Sequence, residues 1–257
     1  MTDSQDVKTI PANYAAPDAL LDQRVMLITG AGDGIGKALS LAAARAGATV
    51  VLLDRNVRKL ELVYDQIEAD GGPQPAIYPL NLETATPEHY HELAATLDNN
   101  FGGLDILVHN AATLGRLAPL ELSDVGLWFS TMQVNLTAPF LLTQALLPLM
   151  RKGEHGSILF LGDSVGRRGK AYWGSYGVAK FGLEGLMQIL AEEVASSTSL
   201  RVNSIDPGPV RTNLRNTAYP AENKDRLPEP EDIVGAMLYL FSPEGRNLHG
   251  EMLRIER

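Results

Sequence analysis

A chain of 257 residues with 45% hydrophobic residues suits one α/β domain with a sizeable core. The formal net charge of −9 argues against a nucleic-acid partner, because phosphate binding needs a basic face. The absence of cysteine excludes disulfides and cysteine-ligated metals, and no apolar run approaches the about 20 residues of a membrane-spanning helix. Residues 1–10 lack the features of a secretory signal, so we predict a cytoplasmic protein with no nucleic-acid or membrane partner.

Short apolar segments alternate with helical patterns from residue 25 onwards. The predicted strands cover residues 25–29, 49–53, 74–80, 105–109, 157–161, 201–205 and 251–255. The predicted helices cover residues 35–46, 56–70, 87–100, 123–150, 176–196 and 230–241. Most of these strands are apolar throughout, which is typical of a parallel sheet with helices on both faces. We therefore predict one doubly wound α/β domain over residues 24–257, with a mostly parallel seven-stranded sheet, and an N-terminal extension over residues 1–23.

The first predicted strand runs into a glycine-rich turn in which Gly30, Gly34 and Gly36 recur just before a helix. A Cβ atom would keep the backbone away from a pyrophosphate, and glycine also adopts the positive φ of tight turns. The free N–H groups at the start of the helix favour an anion. The turn therefore predicts the phosphate end of a nucleotide site.

A second candidate site lies in the helix predicted over residues 176–196. Tyr176 and Lys180 are four residues apart, so their side chains share one face of the helix. A nearby ammonium favours phenolate, so we expect Lys180 to lower the pKa of Tyr176 below its ordinary value of about 10. Such a tyrosine can exchange a proton with an alcohol or a ketone.

Taken together, four motifs resemble those of the short-chain dehydrogenase/reductase family, in family order over residues 24–255. The segment TGAGDGIG at 29–36 resembles TGxxxGxG, HNAA at 109–112 resembles NNAG, YGVAK at 176–180 resembles YxxxK, and PG at 207–208 with Thr212 resembles PGxxxT. The extension and the segment SVGRRGKAYWGSY are similar to a little-characterised group of bacterial oxidoreductases within the family. The resemblance implies a Rossmann-like fold, a nicotinamide cofactor and a small carbonyl or alcohol substrate.

The resemblance also implies residue roles. Tyr176 would be the general acid/base, Lys180 would bind the nicotinamide ribose, and Asn135 would hold a water for proton relay. Asn110 would fix the end of the fourth strand beside the cofactor, and Thr212 would contact the nicotinamide carboxamide or the pyrophosphate. The implied cofactor-binding residues are Gly30, Asp33, Gly34, Ile35, Gly36, Asp54, Arg55, Asn81, Leu82, Asn110, Ala111, Tyr176, Lys180, Pro207, Gly208, Val210 and Thr212.

One position departs from the family pattern, in which a serine thirteen residues before the tyrosine polarises the carbonyl. That position holds Asp163, and Ser164 follows it. An ionised carboxylate would repel the developing alkoxide charge. Either a local shift brings Ser164 in, or Asp163 is protonated through desolvation, or catalysis is impaired. We favour Ser164 as the catalytic residue, beside Tyr176, Lys180 and Asn135.

The cofactor preference depends on the end of the second strand. Asp54 can accept both ribose hydroxyls of the adenosine and repel a 2′-phosphate, which favours NAD. Arg55 follows directly and can bind a 2′-phosphate, which keeps NADP as the alternative. Asn81 resembles the family aspartate at the adenine, and its amide can still accept the adenine amino hydrogen.

We predict an NAD(P)-dependent oxidoreductase, and the alternative is a regulatory or scaffold protein that binds the nucleotide without turnover. The scattered histidines predict no metal site. Arg167, Arg168 and Lys170 form either a solvated basic loop or a site for an anionic substrate group. The resemblance implies a homodimer or homotetramer. The candidate interface residues are Leu141, Leu142, Leu146 and Leu186.

Overall fold

The computed structural model describes residues 7–153 and 155–256. One sheet contains eight strands in the order β1-β8-β7-β6-β5-β2-β3-β4, and every neighbouring pair is parallel. The strands are β1 (Lys8–Ile10), β2 (Val25–Thr29), β3 (Thr49–Asp54), β4 (Ala76–Pro79), β5 (Ile106–His109), β6 (Ser157–Leu161), β7 (Arg201–Asp206) and β8 (Met252–Ile255). The doubly wound α/β prediction is confirmed, with one strand more than the seven that we predicted.

The additional strand lies in the segment that we predicted as an extension. Strand β1 pairs with β8 at the edge of the sheet, and Ile10 is buried in the core. Its three residues are too few to show the alternating pattern of a strand, so the pairing with β8 and the burial of Ile10 stabilise them. Leu21, in the same segment, is also fully buried. Residues 8–21 therefore contribute to the folded domain.

Eight α-helices cover the sheet in the described part of the chain. They are α1 (Gly34–Arg45), α2 (Val57–Ala69), α3 (Pro87–Phe101), α4 (Val125–Met132), α5 (Ala138–Met150), α6 (Gly174–Ala195), α7 (Asn213–Ala218) and α8 (Val234–Phe241). The long helix that we predicted over 123–150 is α4 and α5 joined by a π-helical segment, Gln133–Thr137. Helix α7 lies outside the helices that we predicted. None of the described helices is long and apolar enough to cross a membrane.

The core lies on both faces of the sheet because successive strand side chains point in opposite directions. In β2, Met26 and Ile28 pack in a cluster with α1, α2 and α8, whereas Leu27 packs in the cluster with α3, α5 and α6. Both faces of the strand are buried, which accounts for its continuous apolar sequence. The helices on the two faces therefore hold the sheet between them.

The strand order positions the functional site. Chain connections from β2 lead to β3 on one side, whereas β5 lies on the other side of β2. Such a reversal opens a crevice at the carboxyl ends of the strands, where α/β proteins bind ligands. The loops after β2, β3, β4, β5, β6 and β7 meet at this edge. These loops and the first turns of α1 and α6 carry most of the candidate site residues.

Candidate functional site

The glycine-rich turn after β2 is packed too closely for side chains. Gly30 has φ +68°, and a Cβ there would lie 2.9 Å from the Asn110 amide nitrogen. A Cβ on Gly36 would lie 2.1 Å from the Gly30 carbonyl oxygen. The Asn110 side-chain amide donates to the carbonyl oxygens of Thr29 (2.8 Å) and Gly30 (3.2 Å). The turn is half-buried at Gly30 and Gly34, where its backbone lines the crevice, and it leads directly into α1. This backbone and the N-terminus of α1 fit a pyrophosphate.

Asp33 caps the N-terminus of α1 inside this turn. Its carboxylate accepts hydrogen bonds from the Gly34 N–H (2.8 Å), the Lys59 ammonium (2.6 Å) and the Asn213 amide (2.8 Å). Partial burial raises the pKa of Asp33, but these hydrogen bonds outweigh burial, and the pKa lies below its ordinary value. Asp33 therefore ties the turn to α2 and α7, and Lys59 offsets its charge beside the phosphate position.

Two adjoining cavities, of about 560 and 300 Å³, follow the crevice from the end of β3 to the start of α6. Gly30 and Asp33 line both cavities, so the two are continuous along the glycine turn and suit an extended dinucleotide. The predicted residues that line them are Gly30, Asp33, Gly34, Ile35, Asp54, Arg55, Asn81, Leu82, Asn110, Ala111, Tyr176, Lys180, Pro207, Gly208, Val210 and Thr212. Three predicted residues line neither cavity: Gly36, Asn135 and Ser164.

The larger cavity carries the groups that could distinguish the two nicotinamide dinucleotides. Asp54 Oδ1 accepts a hydrogen bond from the Asn56 N–H at 2.9 Å, which orients the carboxylate at the end of β3. The Arg55 guanidinium is 70% exposed and lies 3.7 Å from the Glu83 carboxylate, so it remains accessible. Asn81 holds the next loop by accepting from the Glu83 N–H at 3.2 Å.

Tyr176 and Lys180 are buried side by side at the inner end of the smaller cavity. The Lys180 ammonium donates to the Leu161 carbonyl oxygen at 2.5 Å and lies 5.6 Å from the centre of the Tyr176 ring. Burial lowers the pKa of Lys180. Burial, and then the Asp163 carboxylate, raise the pKa of Tyr176 well above its ordinary value. Our expectation of a lowered pKa for Tyr176 is therefore wrong for the protein alone, because burial and the Asp163 carboxylate both disfavour the phenolate.

The structure places Asp163, rather than Ser164, beside Tyr176. The Tyr176 hydroxyl donates to Asp163 Oδ2 at 3.1 Å, and Asp163 lines the same cavity as Tyr176. Ser164 is exposed, and its hydroxyl donates to Asp163 Oδ1 at 3.2 Å. Asp163 caps the short 3₁₀ turn Ser164–Gly166, accepting from the Val165 N–H at 3.0 Å. This turn begins directly after Asp163 and directs Ser164 away from the tyrosine, so no one-residue shift occurs.

Asn135 is buried in the π-helical segment between α4 and α5. Its side-chain oxygen accepts from the Thr113 N–H and its amide donates to the Thr113 carbonyl oxygen, both at 2.8 Å. The reciprocal pair fixes the loop after β5 against the helix. These two bonds use one amide hydrogen and one lone pair of the side chain. The water-holding role of Asn135 stays a prediction.

The basic loop between β6 and α6 does not form an anion site at Arg167. The Arg167 side chain is 10% exposed. Its guanidinium pairs with the Glu184 carboxylate at 2.9 Å and donates to the Leu253 carbonyl oxygen at 3.0 Å. Lys170 donates to the Tyr219 hydroxyl at 2.7 Å. Arg168 is exposed. The loop therefore anchors the sheet and the segment after β7, rather than presenting a cluster of three free cations.

Several residues that contact the site were not predicted from sequence. The segment after β7 contributes helix α7, which brings Asn213 to Asp33 and places Leu214 and Arg215 along the smaller cavity. Arg215 pairs with Glu222 through two hydrogen bonds of 2.7 Å. The pattern TNLR, with Thr212 as an N-cap accepting from the Arg215 N–H, was the available signal for this helix.

Known proteins share this architecture. The sequence pattern described as short chain dehydrogenase matches residues 24–223. The uncharacterized oxidoreductase YciK of Escherichia coli K12 is 43% identical over 238 residues, covering 93% of this chain and 94% of the relative. A short chain dehydrogenase structure from Pseudomonas syringae has a TM-score of 0.90 at 48% identity, covering 94% of this chain and 98% of the other. A structure from Shigella flexneri complexed with NADP has a TM-score of 0.89 at 42% identity, covering 93% and 98%.

Proposed function

Because the chain belongs to the short-chain dehydrogenase family, we propose that it moves a hydride between a nicotinamide dinucleotide and a carbonyl or secondary-alcohol carbon, with Tyr176 transferring the proton. The observation that carries this proposal is the convergence of Tyr176, Lys180 and the glycine turn on one crevice. The bound cofactor supplies or accepts the hydride. The chain's residues supply geometry, exclusion of water and the proton.

In this mechanism the phenol of Tyr176 donates to the substrate oxygen as the carbon receives the hydride. Its raised pKa keeps the phenol protonated at neutral pH, which suits a general acid in carbonyl reduction. Lys180, held by the Leu161 carbonyl oxygen, stabilises the phenolate that remains after proton transfer. Asn135 supports the site through its reciprocal pair with Thr113.

The same crevice supports the choice of cofactor. The sequence-based preference for NAD rests on Asp54, but a relative that shares 42% of its sequence was solved with NADP. The Arg55 guanidinium is accessible at the cavity wall and suits a 2′-phosphate. We therefore propose that the chain uses NADP, with Arg55 contacting the 2′-phosphate. Asp54 repels this phosphate, so it reduces the difference in affinity between NADP and NAD.

Two substitutions test this preference by steady-state kinetics. Arg55→Ala should raise KM for NADPH about tenfold, the effect of losing one charge-assisted hydrogen bond, and leave KM for NADH unchanged. Asp54→Ala should lower KM for NADPH and raise it for NADH, since its carboxylate repels the phosphate and binds ribose hydroxyls. Equal effects of Arg55→Ala on both cofactors would contradict the proposed phosphate contact.

The central test of the function is Tyr176→Phe. Removing the hydroxyl should lower kcat for a panel of carbonyl substrates by about 10² to 10⁴, the usual contribution of a general acid. Binding of NADPH, followed by fluorescence titration, should be retained. Unchanged turnover would show that another group transfers the proton. Tight NADPH binding by the wild-type protein without turnover of any carbonyl would favour the regulatory alternative, which the enzyme relatives oppose.

A further inference from the structure

Asp163 faces the position of the reacting atom. Its Oδ2 lies 3.1 Å from the Tyr176 hydroxyl. A substrate atom that exchanges a proton with Tyr176 must come within hydrogen-bond distance of that hydroxyl. The same atom therefore lies beside the Asp163 carboxylate, where the family pattern would offer a neutral hydroxyl.

Three hydrogen-bond donors of this chain contact the Asp163 carboxylate. The Val165 N–H and the Ser164 hydroxyl donate to Oδ1, and the Tyr176 hydroxyl donates to Oδ2. In the described part of the chain, no lysine, arginine or histidine forms an ion pair with Asp163. Lys180 and Arg215 lie near enough to interact electrostatically with Asp163, but each makes its direct polar contact elsewhere. Lys180 donates to the Leu161 carbonyl oxygen, Arg215 pairs with Glu222, and Arg167 pairs with Glu184.

This negative charge distinguishes two kinds of reacting group. A carbonyl oxygen presents only lone pairs to Asp163 Oδ2, and it becomes more negative as the hydride arrives, so the carboxylate opposes the reaction. A protonated C=N group presents an N–H donor and a positive charge. Its hydrogen bond to the carboxylate is charge-assisted, and such bonds are about twice as strong as neutral ones.

We propose a further activity of the nicotinamide site described under Proposed function: reduction of a protonated C=N bond, as in a cyclic imine, with Asp163 as the residue that binds its N–H. The substrate carbon gains a hydride from the reduced dinucleotide, which is oxidised. The π electron pair of the C=N bond becomes the lone pair on nitrogen, and the cation becomes a neutral amine. No proton has to be supplied in this step, so it does not need Tyr176 as an acid.

The test compares pyrroline, a cyclic imine, with cyclopentanone, the ketone of the same ring size. With NADPH at neutral pH, the wild-type protein should show a kcat/KM for pyrroline at least about tenfold above that for cyclopentanone. Asp163→Ser should reverse this order, because serine supplies a neutral donor to a carbonyl oxygen. Serine also retains the N-cap of the 3₁₀ turn, so the variant should fold.

A matched control is Asp124→Ser. Asp124 is likewise an N-cap carboxylate, accepting from the Leu127 N–H at 2.8 Å at the start of α4, and it lines neither of the two cavities. This variant should leave both kcat/KM values unchanged. A higher wild-type kcat/KM for cyclopentanone, an equal loss for both substrates in Asp163→Ser, or turnover of neither probe would overturn the inference.

A binding measurement is independent of turnover. Pyrrolidinium, the protonated amine product, should bind the wild-type protein in calorimetric titration with NADP present, and Asp163→Asn should weaken it about tenfold or more. Equal affinity of the two proteins for pyrrolidinium would contradict the role of Asp163. Failure of the wild-type protein to bind NADP itself would instead contradict the proposed function, so the two failures are distinguishable.

Discussion

At the scale of single residues, burial determines the protonation of the groups that matter most. Tyr176 and Lys180 are both buried, and their pKa values move in the directions that disfavour charge, upwards for the phenol and downwards for the ammonium. His109, at the end of β5, is also buried, with its ring stacked on Phe160 and its Nε2 2.8 Å from the Thr143 hydroxyl. A charge on any of these three side chains therefore costs free energy unless an opposite charge or a hydrogen bond compensates it.

The raised pKa of Tyr176 predicts a different pH dependence for the two reaction directions. Alcohol oxidation needs the phenolate as a base, so its kcat/KM should rise with pH through the alkaline range. Carbonyl reduction needs the phenol and should stay level from about pH 6 to about pH 8. Initial rates of carbonyl reduction from about pH 6 to about pH 8, and of alcohol oxidation from neutral pH into the alkaline range, test the prediction. A plateau of the oxidation rate below neutral pH would contradict it.

His109 predicts a loss of stability in acid. Burial lowers its pKa to about 3, whereas a histidine of the unfolded chain titrates near about 6.5. Below about pH 6.5 the unfolded chain binds a proton that the folded chain does not. The free energy of unfolding therefore decreases as the pH is lowered from about 6.5 to about 3, by up to about 1.4 kcal/mol per pH unit. Urea unfolding at about pH 7 and about pH 5 should show a smaller difference for His109→Gln than for the wild type.

The control for this measurement is His91→Gln, because His91 is exposed on α3. Its substitution should leave the difference between the two pH values as it is in the wild type. The same acid sensitivity in His109→Gln and the wild type would show that other groups cause it.

At the scale of elements, two short segments contribute to the site and to the sheet. Helix α7 contributes Asn213 to the glycine turn, and β1 closes the sheet beside β8. The β1 carbonyl of Ile10 accepts the Glu256 N–H at 2.8 Å, so the two ends of the domain are joined. Neither segment would be stable alone, since a three-residue strand and a six-residue helix are below the lengths at which local structure forms in water.

The role of β1 predicts a stability effect at Ile10. Its side chain is 2% exposed and packs in the core, so Ile10→Ala should lower the free energy of unfolding by about 2 kcal/mol or more. Val7 is 36% exposed, and Val7→Ala should change the free energy of unfolding by less than about 0.5 kcal/mol. Denaturant unfolding of the two variants compares them. Equal losses of unfolding free energy in the two variants would mean that the Ile10 side chain is not buried in solution.

At the scale of the whole molecule, several large apolar side chains are exposed on the helices that we predicted to form an oligomer interface. Of the four leucines that we predicted there, Leu142 and Leu146 are buried in the core of this chain, whereas Leu141 and Leu186 are partly buried. The exposed ones are Phe129 on α4, Phe140 on α5, and Val178, Phe181 and Ile189 on α6. A homodimer or homotetramer through these helices stays our proposal, now with different residues. The cytoplasmic location likewise stays a prediction.

The proposed interface predicts an effect of a charge on association. Phe181→Asp should reduce the mass measured by light scattering after size-exclusion chromatography, because it would bury a carboxylate against apolar side chains. Leu62 is 66% exposed on α2, on the other face of the sheet, and Leu62→Asp is the matched control that should not change the mass. A wild-type mass equal to one chain, or dissociation by Leu62→Asp alone, would contradict the proposed surface.

The sequence by itself determined the doubly wound fold and the family. Continuous apolar strands, glycine spacing and the Tyr176–Lys180 pair are local patterns, so they can be recognised without the tertiary structure. Most of the residues that the sequence predicted for the site line the crevice, since they lie at strand ends or in the turns that follow. Only the tertiary structure decided which way the backbone turns after β6, and therefore that Asp163 rather than Ser164 contacts Tyr176. It likewise decided that Arg167 pairs with Glu184 and that β1 joins the sheet. Burial, pairing and the direction of a single side chain depend on contacts between residues far apart in the chain, which no local pattern records.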